Sequence, residues 1–126
     1  MSAAYVDSSV LVAIAFREKG SGALRDRLLQ YGRLYSSNLL EAEVRSALAR
    51  EGVGFAQRYL ARIRWVYPSR PLAEEIETVL EAGYLRGADL WHVANALYAF
   101  PRAAEVGFFT LDERQRAVAA ELGFQV

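Results

Sequence analysis

The sequence predicts an α/β fold of three layers, α/β/α, around a central, mostly parallel sheet. Two observations carry that reading. Short apolar runs of strand length alternate with amphipathic helical stretches along all 126 residues, the pattern of a parallel sheet covered by helices on both faces. Acidic residues recur where a strand gives way to a helix, and ligands of such sheets bind outside the carboxyl ends of the strands.

The elements follow in order. Ala4-Tyr5-Val6-Asp7 reads as a strand with Asp7 at its carboxyl end, after which Ser8 and Ser9 are expected to cap a helix through Val10–Phe16. A Gly20-Ser21-Gly22 break precedes a helix from Ala23 to about Tyr31, with Leu24 and Leu28 on one face. Leu34–Ser36 is a brief strand. With Asn38 as N-cap, the next helix runs to Arg50 on the apolar stripe Leu40, Val44, Ala47 and Leu48. In that frame Glu41 occupies the third helical position, where it can fold back in a capping box, whereas Glu43 has no such local duty.

Gly52 and Gly54 punctuate the chain before a helix from Phe55 to about Ile63, and Trp65–Tyr67 is a strand or extended link. Pro68 and Pro71 introduce a helix that ends near Gly83. Asp89 opens an apolar helix through Ala94, Leu97 and Phe100, which Pro101 ends. Gly107–Thr110 is the clearest late strand, Asp112 starts a helix to Leu122 with Gly123 as its C-cap, and Phe124–Val126 is a final strand. No repeat, linker or low-complexity stretch interrupts the pattern, so one domain over residues 1–126 is expected.

Composition narrows the chemistry. With no cysteine, disulfides and thiolate metal sites are excluded, and a metal must be held by oxygen or by the lone His92. Oxygen ligands favour Mg²⁺ or Mn²⁺. No basic leader and no apolar run near the roughly 20 residues of a membrane helix are present, so a cytoplasmic protein without membrane contact is expected. The formal net charge of +0 argues against gripping nucleic acid by bulk electrostatics. Lys19 is the only lysine; the remaining positive charge is arginine.

Asp7, Glu43, Asp89 and Asp112 are the candidate site. Carboxylates about 4 Å apart repel by roughly 4 kcal/mol per pair at an effective dielectric near 20, so a cluster of them calls for protonation or a cation. The competing explanation is structural: aspartate is a favoured N-cap, and Asp112 with Gln115 three residues on fits a helix start. Other acidic α/β sites fail on the residues present. A dehalogenase-like phosphatase needs a second aspartate two residues after the first, but Ser8-Ser9 follows Asp7. A receiver domain needs a late lysine, and neither a P-loop nor a GxGxxG loop is found. His92, among Trp91, Val93 and Ala94, is expected to pack or cap, and Trp91 is expected in the core rather than stacked on a base.

Four segments, in order and spacing, resemble the acidic motifs of PIN-domain nucleases. They are Tyr5-Val6-Asp7-Ser8-Ser9, Leu40-Glu41-Ala42-Glu43-Val44-Arg45-Ser46-Ala47-Leu48, Gly87-Ala88-Asp89-Leu90-Trp91-His92-Val93-Ala94-Asn95-Ala96-Leu97, and Phe109-Thr110-Leu111-Asp112-Glu113-Arg114. The closest look is to VapC-type toxins of toxin–antitoxin pairs. The resemblance implies a PIN-like fold and a Mg²⁺- or Mn²⁺-dependent endoribonuclease leaving 5′-phosphate and 3′-hydroxyl ends. It makes Asp7 and Asp89 principal metal ligands, completed by Glu43 and Asp112, with Ser8 and Thr110 as polar neighbours. It further implies a homodimer and a small antitoxin partner. RNA would be held by arginines near the motifs, for which Arg17, Arg45, Arg50 and Arg86 are candidates. Two alternatives stand beside it: a PIN-like binding module with little turnover, and a metal-dependent phosphoesterase acting on DNA or other substrates.

Overall fold

The computed structural model describes residues 2–126. Its strands are β1 (Ala3–Val6), β2 (Arg33–Ser37), β3 (Ile63–Val66) and β4 (Val106–Phe109). The helices are α1 (Ser8–Ala15), α2 (Ser21–Gln30), α3 (Asn38–Arg50), α4 (Ala56–Leu60), α5 (Ala73–Ala82), α6 (Gly87–Ala99) and α7 (Glu113–Glu121). The four strands form one sheet in the order β3-β2-β1-β4, every pair parallel. The expected sheet is therefore present, and wholly parallel among the described residues.

Period-two alternation sorts the strands between two cores. Ala4, Val6, Leu34 and Phe109 face one layer with Val10, Leu11, Leu40, Val44 and Leu48 from α1 and α3. Tyr5 and Phe108 face the other, with Val79, Val93, Ala96 and Val118 from α5, α6 and α7. Each fully buried Leu or Val contributes about 1.5–3 kcal/mol relative to exposure, which makes both faces indispensable. Tyr5 and Phe108 stack with ring centroids 5.4 Å apart on the second face.

The strand order creates the feature that matters for function. From β1 the chain moves outward through β2 to β3, then returns past β1 to place β4 on its other side. The helix after β1 lies on one face and the helix after β4 on the other, so the chain diverges between them. That is a topological switch point, the place where an open parallel sheet leaves a crevice at its carboxyl edge. Asp7 and Asp112 follow the two strands that border it.

Several boundaries differ from expectation. Asp7 itself, not Ser8 or Ser9, caps α1: its backbone is extended and its side chain accepts the Ser9 N–H. Both serines are already helical, so their hydroxyls are out of register for the task. Ser37, not Asn38, caps α3, accepting from the Leu39 N–H at 3.1 Å. The helix of residues 55–63 contracts to α4, with Phe55 as N-cap at φ 63. Asp89 does not open its helix; α6 starts at Gly87 behind Arg86. The final strand reduces to a single parallel bridge, Gly107 to Gln125.

Candidate active site

At the β1/β4 edge, the Asp7 N–H donates to the Phe109 carbonyl at 2.9 Å, fixing the backbone where the strand ends. Its Oδ2 accepts the Ser9 N–H at 3.1 Å, and the residue is only 4% exposed. Thr110 is buried beside it, with Oγ1 2.7 Å from Gln115 Oε1 and 3.3 Å from Asp7 Oδ2. The hydroxyl has one proton, and the shorter contact takes it. The same Oγ1 accepts the Asp112 N–H at 3.0 Å, while Asp112 Oδ1 accepts the Gln115 N–H at 2.8 Å and caps α7. Gln115 Nε2 reaches the Asp89 carbonyl at 3.3 Å, tying α7 to α6. Ser9, rather than Ser8, is the serine engaged here, its Oγ accepting the Leu111 N–H at 3.1 Å.

A second network holds Glu43. It is the sixth residue of α3, and its Oε1 sits 2.6 Å from His92 Nε2 on α6. His92 is fully buried, and its Nδ1 lies 2.8 Å from the Tyr5 hydroxyl. That hydroxyl also accepts the Ser37 N–H and Asn95 Nδ2, each at 3.1 Å. Burial pushes the Tyr5 pKa up to about 12, against hydrogen bonds from Asn95, Ser36 and Ser37 that lower it. His92 does pack, as its apolar neighbours suggest, but it also grips one of the candidate acids. Trp91 packs partly buried against the second core.

Asp89 is the third residue of α6, where the helix N-terminus favours negative charge. Its pKa is nevertheless raised: partial burial acts most strongly, then the charges of Asp7 and Asp112, with Glu43 adding least and His92 opposing. Asp89 thus senses the other three acids. Among the described residues, however, no three His, Cys, Asp or Glu side chains are gathered closely enough to hold a metal. The expected tight cluster is not preformed. The physical reason is visible in the bonds: like charges separate, and Asp7, Glu43 and Asp112 each turn one oxygen to a protein donor.

The donor set still fits a hard divalent cation. Asp7 Oδ1, Glu43 Oε2, Asp112 Oδ2 and both Asp89 carboxylate oxygens carry no hydrogen bond among the described residues. None of them is sealed from solvent: Asp112 is exposed, and among the described residues that are not exposed Asn95 Oδ1 is the sole buried side-chain polar atom without a partner. An all-oxygen set with free lone pairs and mutual repulsion is what Mg²⁺ or Mn²⁺ accepts.

Reasoning from sequence missed several participants. Gln115 was visible only as a capping partner, yet its side chain bridges Thr110 and Asp89 instead of folding back on Asp112. Arg116 donates to the Thr110 carbonyl at 2.8 Å, placing a cation beside the acids; its position four residues after Asp112 was the available signal. Of the arginines near the motifs, Arg45 and Arg50 are held in exposed ion pairs with Glu41 and Glu51. Arg17 lines a cleft at the other end of α1, and Arg86 stands at the start of α6.

An open parallel sheet with acids at its switch point defines an α/β domain with a candidate acidic site at the carboxyl edge. The PIN domain family matches residues 4–121, and the chain belongs to that family, whose members are generally phosphodiester hydrolases. The comparisons with curated proteins and with solved structures each returned no match.

Proposed function

We propose that the protein is a Mg²⁺- or Mn²⁺-dependent endoribonuclease acting in the cytoplasm, the toxin of a toxin–antitoxin pair. The observation that carries this is the match of the PIN domain family to residues 4–121, with Asp7 and Asp112 following the two strands that border the switch point and Asp89 tied to the start of α7 through Gln115. Asp7, Glu43, Asp89 and Asp112 are the residues that would hold the cation. When bound, it supplies charge neutralisation at the scissile phosphate and activation of water. The chain's own part is positioning. The Ser9 N–H fixes Asp7, His92 fixes Glu43, and the Thr110–Gln115 bridge ties the start of α7 to that of α6. Arg116 adds positive charge next to the site where an RNA phosphate would enter. No helix among the described residues is long and apolar enough to cross a membrane. A homodimer mate and a small antitoxin belong to the same proposal, and rest on the motif resemblance and family membership.

The test is cleavage of a structured RNA by purified protein with Mn²⁺, alongside Asp7→Asn, Asp89→Asn and an EDTA control. Cleavage confined to wild type with metal supports the reading; equal cleavage by all three proteins points to a contaminant or another site. The absence of a preformed cluster among the described residues favours one second reading, a PIN-like binding module with little turnover. Calorimetric metal binding without cleavage of RNA under any divalent ion would select it, and cleavage of DNA alone would select a phosphoesterase of different substrate.

A further inference from the structure

We propose that His92 is the positioning residue for Glu43: Tyr5 holds its ring in the tautomer protonated at Nε2, so that His92 donates to Glu43 Oε1 and leaves Oε2 to meet the cation. The inference rests on the metal-dependent reading above.

Proton counting fixes the direction of each bond. The Tyr5 oxygen has two lone pairs and one proton. Ser37 N–H and Asn95 Nδ2 are donors and occupy the lone pairs, both at 3.1 Å. The hydroxyl proton therefore goes to the third neighbour, His92 Nδ1, at 2.8 Å. An imidazole that accepts at Nδ1 carries its proton at Nε2, and Nε2 faces Glu43 Oε1 at 2.6 Å. The short contact is that of a charge-assisted bond to a carboxylate.

The arrangement is costly for a histidine serving packing alone. His92 is fully buried on α6, and the carboxylate it holds belongs to α3 across the sheet edge. Glu43 is half-buried and flexible by nature, with three side-chain torsions to fix. The ring also stands edge-on to Tyr5, centroids 5.8 Å apart, which locks its orientation. A ring held at both nitrogens by partners on two other elements directs a side chain, and such outer partners of ligating groups typically govern metal affinity by about 10–100-fold.

The experiment uses the full chain without metal and then with Mn²⁺. Because His92 is the only histidine, ¹⁵N NMR of histidine-labelled protein reads one ring. The expected spectrum has Nδ1 of the unprotonated type and Nε2 of the protonated type. The opposite tautomer, or a ring protonated at both nitrogens at neutral pH, overturns the proposal; either would follow if the Asn95 amide were turned to accept from Tyr5. By calorimetry, His92→Ala is expected to weaken Mn²⁺ binding by about 10–100-fold, and His92→Gln, which retains a donor in place of Nε2, to recover most of it. Tyr5→Phe leaves the imidazole in place but frees the tautomer, and is expected to weaken Mn²⁺ binding by a smaller factor with a mixed ¹⁵N pattern. Unchanged affinity in folded His92→Ala, or in Tyr5→Phe if that variant does not fold, sinks the inference alone. Wild type that binds no Mn²⁺ sinks the metal reading and the inference with it.

Discussion

The two ends of the sheet are built from opposite materials. At the carboxyl edge, Asp7, Asp89 and Asp112 stand at the starts of α1, α6 and α7, embedded in a network of hydroxyls, amides and an imidazole. Toward the amino edge, a cleft of about 500 Å³ has an apolar floor including Leu28 and Leu34, and is rimmed by Arg17, Arg25, Arg58 and Arg62. The formal charge of +0 thus conceals a strong segregation. Its cause is topological. α1, α3, α6 and α7 begin at the carboxyl edge, where helix N-termini favour anions, and α1 ends at the cleft beside Arg17, where a helix C-terminus favours a cation; α5 runs back from Ser69, beside Tyr98 near the end of α6, to the start of α6. A neutral chain can therefore present an acidic pocket and a basic-rimmed cleft at once.

The sharpest way to break this contrast is to remove charge from each end. Asp7→Asn keeps an N-cap for α1, because asparagine caps as well as aspartate. It should nevertheless lower RNA cleavage with Mn²⁺ by about 10³-fold, roughly 4 kcal/mol of transition-state stabilisation. The double variant Arg17→Ala/Arg58→Ala, in the cleft, should leave single-turnover cleavage within about threefold of wild type. The opposite ranking in the same assay would mean that chemistry resides at the cleft.

Next in size is Thr110→Val, which preserves shape while removing the hydroxyl. Gln115 Oε1 and the Asp112 N–H each lose a partner at 2.7 and 3.0 Å. Stranded buried polar groups cost about 1–3 kcal/mol each. Urea unfolding should show a lower midpoint with an unchanged slope. A midpoint equal to that of wild type would mean that solvent reaches this corner, contrary to its burial, and that the acidic edge is looser than the bonds indicate.

How much of this was legible in the sequence depends on the kind of signal. The sheet, its parallel sense and most helices follow from periodicity, and the loops at Gly20, Gly52 and Pro68 from turn chemistry. Asp7 and Asp112 were visible as acids at strand ends because β1 and β4 are short, apolar and followed at once by a polar residue. Cap positions were not legible to one residue: Ser37 and Asn38 are both good caps, and only backbone geometry chooses between them. The His92–Glu43 bond was hidden for a different reason. It links residues 49 apart on two helices, and nothing local in either helix announces the other.

A smaller effect tests the electrostatics of the edge. The Asp89 pKa is raised in the folded protein, so folding favours its protonated form. That contribution is fully present below the unfolded carboxylate pKa and is lost as pH rises through the higher folded value. Above that window the ionised side chain destabilises the metal-free fold. Asp89→Asn should accordingly raise the melting temperature at neutral pH, and the gain should vanish as pH falls below the ordinary aspartate value. With a partly exposed group, screening keeps the difference at no more than about 1 kcal/mol. Saturating Mn²⁺ should reverse the order, stabilising wild type and not the variant. A neutral-pH loss on Asp89→Asn would show that Asp89 serves the α6 N-terminus more than it suffers from its neighbours.

The smallest expected effect separates the two glutamates of α3. Placing the N-cap at Asn38 removes Glu41 from contention by giving it a capping duty, but with Ser37 as cap Glu41 is the fourth helical residue and has none. Glu41 instead pairs with Arg45 at 2.7 Å, one turn on, in a largely exposed ion pair. Glu43, two residues later, points to a different face and reaches buried His92. The distinction therefore rests on helical phase and a buried partner, not on capping. Glu41→Gln should cost about 0.3 kcal/mol, the usual scale for an exposed pair of this spacing, diminish further in salt, and leave Mn²⁺ affinity unchanged. Glu43→Gln retains the length of the side chain but removes the carboxylate, and should weaken Mn²⁺ binding in the same titration. If both variants leave Mn²⁺ affinity unchanged, α3 contributes no acid to the edge and the pocket reduces to its three aspartates.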